Sequence, residues 1–322
     1  MTDARIWIGP AGAGDRLDLA TVLAAIQPDA NTLRDSLQTD RIKGLFRMRS
    51  EASQLAAEAQ TRFKRLSTVA VVGTAVATLT SGLLLYGAGS EAGNAAPVEG
   101  LVHWVTKNKH AVLALQIAAL FFSGAVASLL ASQNYSERWQ EQRNRAELLR
   151  RQIFDDILAM AKAQVPSPLA SADPGNAIAQ AFEFFRRYQH EVQIAFYAKA
   201  STRHGRATLW LAWLTALLAG FAAVTGALGG FGGAALVVSA FLGISVPIVM
   251  SAAQSWRVAN RDSDKLVAYQ KAKEALDTNL LDIDTVRARA ALGDADAVEA
   301  YVTSVHQIIA TENEVWRPAQ RP

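Results

Sequence analysis

Four long stretches without a charged residue restrict what this 322-residue chain can fold into. They run over Leu66–Tyr86, Ala111–Ala131, Ala207–Leu228 and Ala234–Ala253, and none contains Asp, Glu, Lys, Arg or His. A helix needs about 20 apolar residues to cross a hydrocarbon core about 30 Å thick. The blocks predict an all-α integral membrane protein whose four transmembrane helices form two hairpins. Buried helices of a soluble protein are the alternative, which four separate charge-free blocks disfavour.

Basic residues flank the blocks on one side only. The two hairpin loops together hold only Lys107 and Lys109. The other block ends carry Arg47, Arg49, Arg62, Lys64, Arg65, Arg138, Arg143, Arg145, Arg150, Arg151, Arg187, Lys199, Arg203, Arg206, Arg257, Arg261, Lys265, Lys271 and Lys273. Because Lys and Arg near membrane spans stay on the cytoplasmic side, we expect a multi-pass inner-membrane protein with both termini cytoplasmic.

The two hairpins resemble copies of one unit. Residues 59–65 before the first hairpin and 200–206 before the second share the pattern A-x-T-R-x-x-R. Both hairpins point the same way, unlike the inverted repeats of many transporters. We interpret the chain as an N-terminal cytoplasmic segment 1–30, a two-transmembrane module 31–163, a Pro-rich linker 164–176 and a second module 177–316.

The segments outside the blocks predict a cytoplasmic helical bundle. One long helix is expected from Asn31 into the first block, and another leaves the second block. A third is expected to bury Phe185, Tyr188, Val192 and Phe196 along one face. The last helix places apolar residues at i, i+3, i+4 and i+7 spacing, which predicts a buried face made of Val298, Tyr301, Val302, Val305, Ile308 and Ile309.

Weakly polar side chains inside the blocks leave two interpretations open. Small residues in the spans let helix backbones pack closely, which is the simpler interpretation. The alternative is that Thr74, Thr78 and Ser81, with Gln116 of the second block, line a water-filled pore in an oligomer. Without charged groups such a pore would discriminate by diameter and wetting. Pro247 is expected to kink the fourth span.

The sequence indicates no enzyme, no cofactor and no metal site. There is no cysteine, and the five histidines show no ligand spacing; His190 and His306 are expected to be exposed. A Gly-rich segment at 9–14 lacks the Lys-Ser/Thr ending of a phosphate loop. The carboxylates of Glu312 and Glu314 point apart on a helix. Topology and anionic lipid explain the basic clusters, so no nucleic-acid partner is expected.

The tandem arrangement resembles the SLATT families, which are two-transmembrane effector domains of bacterial conflict systems. The residues that carry this resemblance are Ala59, Thr61, Arg62, Trp139, Arg143 and Glu147 in the first module, with Ala200, Thr202, Arg203, Trp256, Arg261, Lys265 and the closing Glu312, Glu314 and Trp316 in the second. The resemblance implies a pore-forming or membrane-perturbing antiphage effector. It also implies that a separate sensor or regulatory protein supplies the trigger.

Three functional hypotheses follow. The first is a non-enzymatic homo-oligomeric pore or ion channel gated through the cytoplasmic helices. The alternative is a membrane-anchored scaffold whose helices recruit a cytoplasmic partner. A small-solute transporter is the third, although no residue in the spans indicates a substrate.

Overall fold

A computed structural model describes residues 17–90, 103–104, 107–164, 174–229, 246, 249–250, 253 and 262–314. The regular elements of these residues are helices, which confirms the all-α fold class there. In chain order they are α1 Leu19–Ala25, α2 Asn31–Gln38, α3 Asp40–Ser90, α4 Lys109–Gln133, α5 Tyr135–Ala163, α6 Pro174–Phe185, a π-helical turn Arg186–Glu191, α7 Val192–Gly229, α8 Asp262–Leu280, α9 Ile283–Ala291 and α10 Ala295–Glu314.

The chain forms two compact units. The bundle unit consists of the described parts of 1–58, 137–204 and 264–322, and the hairpin unit of those of 59–136 and 205–263. The bundle unit therefore combines the predicted cytoplasmic segments of both sequence modules. The boundaries between the two units follow the changes from charged to apolar sequence, and they do not follow the boundary between the two sequence modules.

Two helices of the described chain are long and apolar enough to cross a membrane. They are the segments Asp40–Leu84 of α3 and Lys109–Leu130 of α4, and only 17% and 11% of their most apolar windows is buried. The core helix of a soluble protein would be mostly buried. The block at 207–228 is helical within α7, whereas most of the fourth block, including Pro247, lies outside the described residues.

Local chemistry explains where several helices begin and end. The predicted helix from Asn31 is broken at Thr39, whose backbone is extended with ψ 143°. The Thr39 hydroxyl donates to the Ser36 carbonyl at 2.8 Å, which satisfies a free group at the end of α2. Asn134, with φ 46°, separates α4 from α5 in the left-handed conformation that Asn tolerates. Pro174 opens α6, where its missing N–H costs nothing.

Helix α6 and the π-helical turn lie in the core of the bundle unit. Phe182, Phe184, Phe185 and Tyr188 are at most 2% exposed. Phe154 of α5 contacts both Phe184 and Phe185, with ring centroids 5.2 and 5.3 Å apart. The predicted buried face of α10 is confirmed, since Val298, Tyr301, Val302, Val305 and Ile309 are buried and Ile308 is partly buried.

The π-helical turn corrects the predicted stripe on the third cytoplasmic helix. Phe185 and Tyr188 are buried as expected, but Phe196 is 46% exposed and Tyr197 is 1% exposed. A π-helical turn holds more residues than an α-helical one and rotates everything after it. The buried positions after the turn are therefore Gln193 and Tyr197, one residue later than an uninterrupted α-helix predicts.

Candidate functional site

The polar residues predicted to line a pore make hydrogen bonds inside the first hairpin. Gln116 Nε2 donates to Ser81 Oγ at 2.7 Å, which joins α4 to α3. The hydroxyls of Thr74 and Ser123 also lie 2.7 Å apart, and Ser123 Oγ donates to the Ala70 carbonyl at 3.0 Å. Hydrogen bonds between small polar side chains stabilise helix pairs in apolar surroundings.

The two helices of this hairpin approach closely at Gly73. A Cβ atom added there would lie 3.2 Å from the Ser123 Cβ atom and 3.4 Å from the Ala119 carbonyl oxygen. The first hairpin therefore packs closely through a small residue at this point, as the simpler interpretation of the blocks predicts. Ser81 and Gln116 contribute to the same helix–helix contact.

Thr74 and Thr78 remain exposed on the hairpin surface. Each hydroxyl donates to the carbonyl four residues earlier, Thr74 to Ala70 at 2.9 Å and Thr78 to Thr74 at 2.7 Å. These bonds satisfy the hydroxyl donors, and the Thr74 oxygen also contacts Ser123 Oγ. The two threonines are therefore placed where a second subunit or water could contact them, and their pore-lining role stays a prediction.

A second candidate site is a cavity of about 220 Å³ inside the bundle unit. Helices α5, α7 and α10 contribute its lining, which combines charged, polar and apolar side chains: Arg143, Glu147, Arg150, Val192, Gln193, Phe196, Tyr197, Ile309 and Glu312. Charged residues are almost never fully buried without partners. The charged side chains that line this cavity therefore need partners within the bundle unit.

Arg150 is a buried charged group of the cavity, and it is 6% exposed. Its Nη2 donates to the Tyr188 carbonyl at 2.5 Å, but its Nε has no hydrogen-bond partner. Glu147, one turn earlier on α5, has an unpartnered Oε2. Burial lowers the pKa of Arg150. Burial, with repulsion from Arg150, lowers the pKa of the neighbouring Arg49 to about 10, so Arg49 stays charged at neutral pH.

Glu312 provides the negative charge on the α10 side of the cavity. Its Oε1 lies 3.6 Å from Arg143 Nη2, and its Oε2 accepts from the Tyr197 hydroxyl at 3.3 Å. Burial lowers the pKa of Arg143, but Glu312 and other neighbours outweigh it, so the net shift is upward. Burial and Glu312 raise the pKa of Tyr197, which keeps its hydroxyl protonated as a donor.

A separate ion-pair network surrounds the π-helical turn. The buried Glu183 accepts from Arg186 Nε at 2.7 Å and from Arg287 Nε at 2.8 Å. Arg186 also pairs with Glu191. These pairs connect α6 and the π-helical turn to α9. Because each charge has a partner, the network is best explained as structural.

His190 is fully buried in the π-helical turn, contrary to the expected exposure. Its Nε2 lies 3.0 Å from the Leu276 carbonyl and its Nδ1 contacts the Tyr301 hydroxyl. A carbonyl only accepts, so Nε2 carries the proton and Nδ1 accepts from Tyr301. Burial lowers the pKa of His190, which matches this neutral form. His306 is also buried, at 9% exposure.

The basic residues of α5 were interpreted only as cytoplasmic flanks of the second block, although the spacing of two of them also predicts burial. Arg143 and Arg150 occur at three- and four-residue intervals with the buried Ala146, Ile153 and Ile157. This is the spacing of one helix face. Extending the apolar stripe backward through the two arginines predicts burial for both, and the structure buries Arg150 and partly buries Arg143.

Comparison with known proteins gives one partial match. Residues 49–155, about a third of the chain, are similar to the family described as "Protein of unknown function (DUF4231)". The matched range covers most of α3, all of α4 and most of α5. No curated protein and no solved structure shows a significant match to the chain.

Proposed function

We propose that this chain is a non-enzymatic membrane effector that forms a homo-oligomeric pore in the inner membrane. The observation that carries the proposal is a hairpin with an apolar exposed surface and one exposed hydroxyl stripe. At 100° per residue, Thr74 and Thr78 lie within 40° of each other and roughly opposite the exposed Val69 and Val72. One side of α3 suits lipid, and the other can contact water.

The proposal includes the four-span topology with cytoplasmic termini. The exposed apolar side chains of α4, such as Phe121 and Phe122, favour a bilayer as the surrounding medium. The exposed Trp210, Trp213 and Phe221 of α7 favour a third span. A fourth span would return the chain to the cytoplasmic side, as the basic flanks predict.

A pore of this kind requires several subunits. Two or four narrow helices leave no channel between them, whereas a ring of hairpins can present its threonines to a common lumen. Hydroxyls without charges would give weak ion selectivity. The resemblance to the SLATT families likewise implies a pore-forming or membrane-perturbing effector.

We propose that the signal that opens the pore acts from the cytoplasmic side. Helices α3 and α7 each contribute residues to the bundle unit and to the hairpin unit. A cytoplasmic sensor or regulatory protein that rearranges the bundle would therefore act on the same helices that carry the spans.

The test is flux through purified protein in liposomes, using a cysteine substitution in a chain that has no native cysteine. Thr78→Cys should conduct until a charged methanethiosulfonate reagent is added, which should then reduce flux at least fivefold. Val72→Cys, on the opposite side of the same helix, is the matched control and should keep its flux.

Two outcomes would contradict the pore. The first is absence of ion flux and dye leakage in all preparations, including those with a candidate trigger protein. The second is equal block of both cysteine variants, which would remove the predicted hydroxyl stripe from the conduction path. Absence of flux together with a stoichiometric cytoplasmic partner would favour the scaffold hypothesis.

A further inference from the structure

The cavity between α5, α7 and α10 has the composition of a ligand site. Its lining carries two guanidinium groups, Arg143 and Arg150, and two carboxylates, Glu147 and Glu312. Val192, Phe196 and Ile309 add an apolar wall. Small-molecule sites typically combine such an apolar wall with a few polar groups that orient the ligand.

Two polar atoms on α5 make no hydrogen bond within the protein. Arg150 Nε and Glu147 Oε2 are buried and have no hydrogen-bond partner. Unsatisfied buried polar atoms are rare in native proteins and call for an explanation. Here they belong to one positive and one negative residue that line the same cavity.

The Arg143–Glu312 pair is also loose. Its closest atoms, Nη2 and Oε1, are 3.6 Å apart, which is beyond a direct hydrogen bond. A tightly closed structural ion pair would leave no space for another group. Both residues of this pair line the cavity, so a ligand there can contact either of them.

We propose that this cavity binds a small zwitterion, namely an α-amino acid with an apolar side chain. The two arginines and two glutamates that line the cavity balance each other, so a ligand with a net charge would leave one lining charge without compensation, which is costly. A zwitterion keeps the balance. Its carboxylate pairs with the guanidinium groups, and its ammonium pairs with the carboxylates.

The apolar wall identifies the rest of the ligand. Phe196 is half exposed, and its ring can contact either an ammonium group or an alkyl side chain. Val192 and Ile309 favour an alkyl side chain. The volume of about 220 Å³ lies below the usual range for drug-sized ligands and suits a single amino acid.

Isothermal titration calorimetry on the full chain in nanodiscs tests the site without depending on pore activity. Three probes share one alkyl group: L-leucine, 4-methylpentanoate, which has only the carboxylate, and 3-methylbutylamine, which has only the ammonium. We expect saturable binding of leucine and at least tenfold weaker binding of the other two.

Glu147→Gln should weaken leucine binding at least tenfold, because it removes the charge of one of the two carboxylates that pair with the ammonium group. Glu141→Gln, at an exposed position on the same helix, is the matched control and should bind normally. Phe196→Ala provides a second variant that removes wall contact without changing a charge, and it should weaken binding severalfold.

Three results would overturn the proposal: no saturable heat for leucine with the folded wild-type chain, equal affinity for the single-charge probes, or unchanged binding in both Glu147→Gln and Phe196→Ala. If Glu147→Gln does not fold, the Phe196→Ala result alone decides between support and rejection.

Discussion

Glu183 Oε1 accepts a hydrogen bond from Arg287 Nε at 2.8 Å, which joins the central helix α6 to α9. The other oxygen of this carboxylate accepts from Arg186. Glu183 is 3% exposed, so one buried carboxylate holds two arginines.

Replacing Glu183 should therefore destabilise the bundle strongly. Glu183→Gln leaves two guanidinium groups without their shared carboxylate, and removing one partner of a buried ion pair typically costs about 3–5 kcal/mol. We expect a decrease in the free energy of unfolding in this range, measured by denaturant unfolding in detergent. Asp284→Asn is the control, because it removes an exposed partner of the same Arg287 and should cost about 0–1 kcal/mol. Equal effects of the two changes would contradict the buried network.

A large side chain at Gly73 should destabilise the first hairpin more than the same side chain at Gly124. A Cβ atom at Gly73 would lie 3.2 Å from the Ser123 Cβ atom, but one at Gly124 would meet nothing within 4 Å. Gly73→Leu is expected to cost about 1–3 kcal/mol by overpacking the contact between α3 and α4. The midpoint of thermal unfolding in the same detergent compares it with Gly124→Leu. A larger loss for Gly124→Leu would show that the helices pack on another face.

Stability should decrease in mild acid through His306. Burial, followed by repulsion from Arg151 and Arg150, lowers its pKa from 6.5 to about 4. Because the unfolded chain binds the proton more readily, stability from the neutral imidazole is present above pH 6.5 and is lost as the pH falls toward 4. The loss at pH 5 should be about 2 kcal/mol, and the contact between His306 and Asp155 at 3.8 Å reduces it somewhat.

The measurement is the difference in unfolding free energy between pH 7 and pH 5 for wild type and His306→Gln. The variant should lose less stability than the wild type over this interval, because carboxylates and other histidines contribute equally to both. An identical pH dependence in the two proteins would contradict the assigned role of His306.

Labelling of single cysteines should reveal the orientation of the first hairpin. With both termini cytoplasmic, a membrane-impermeant maleimide should label Lys107→Cys in intact spheroplasts. Arg47→Cys and Thr303→Cys, which lie at exposed positions of the bundle unit, should react only after the membrane is disrupted. The opposite pattern would reverse the topology.

Some features could be predicted because they depend on neighbouring residues alone. The lengths of the apolar blocks indicated the helices that became α3 and α4, and the i, i+3, i+4 pattern from Val298 to Ile309 indicated the buried face of α10. In each case the residues that form the sequence pattern are the same residues that form the predicted structure.

Other features depended on an irregular helical turn or on residues far away in the sequence. Phe196 was expected in the core, but the π-helical turn moved Tyr197 into that position. His190 was expected to be exposed, but Leu276 and Tyr301 supply its partners from two other helices. A helix-periodicity argument assumes 3.6 residues per turn and cannot anticipate an inserted residue.

The amino-acid sequence by itself determined that the chain is helical and where its membrane-length apolar segments lie, because helix period and hydrophobic length are local properties. Only the tertiary structure decided that Arg143, Glu147, Arg150 and Glu312 meet around one cavity. The same arginine can serve as an exposed flank or a buried ion-pair partner, and the difference depends on which helices pack against it.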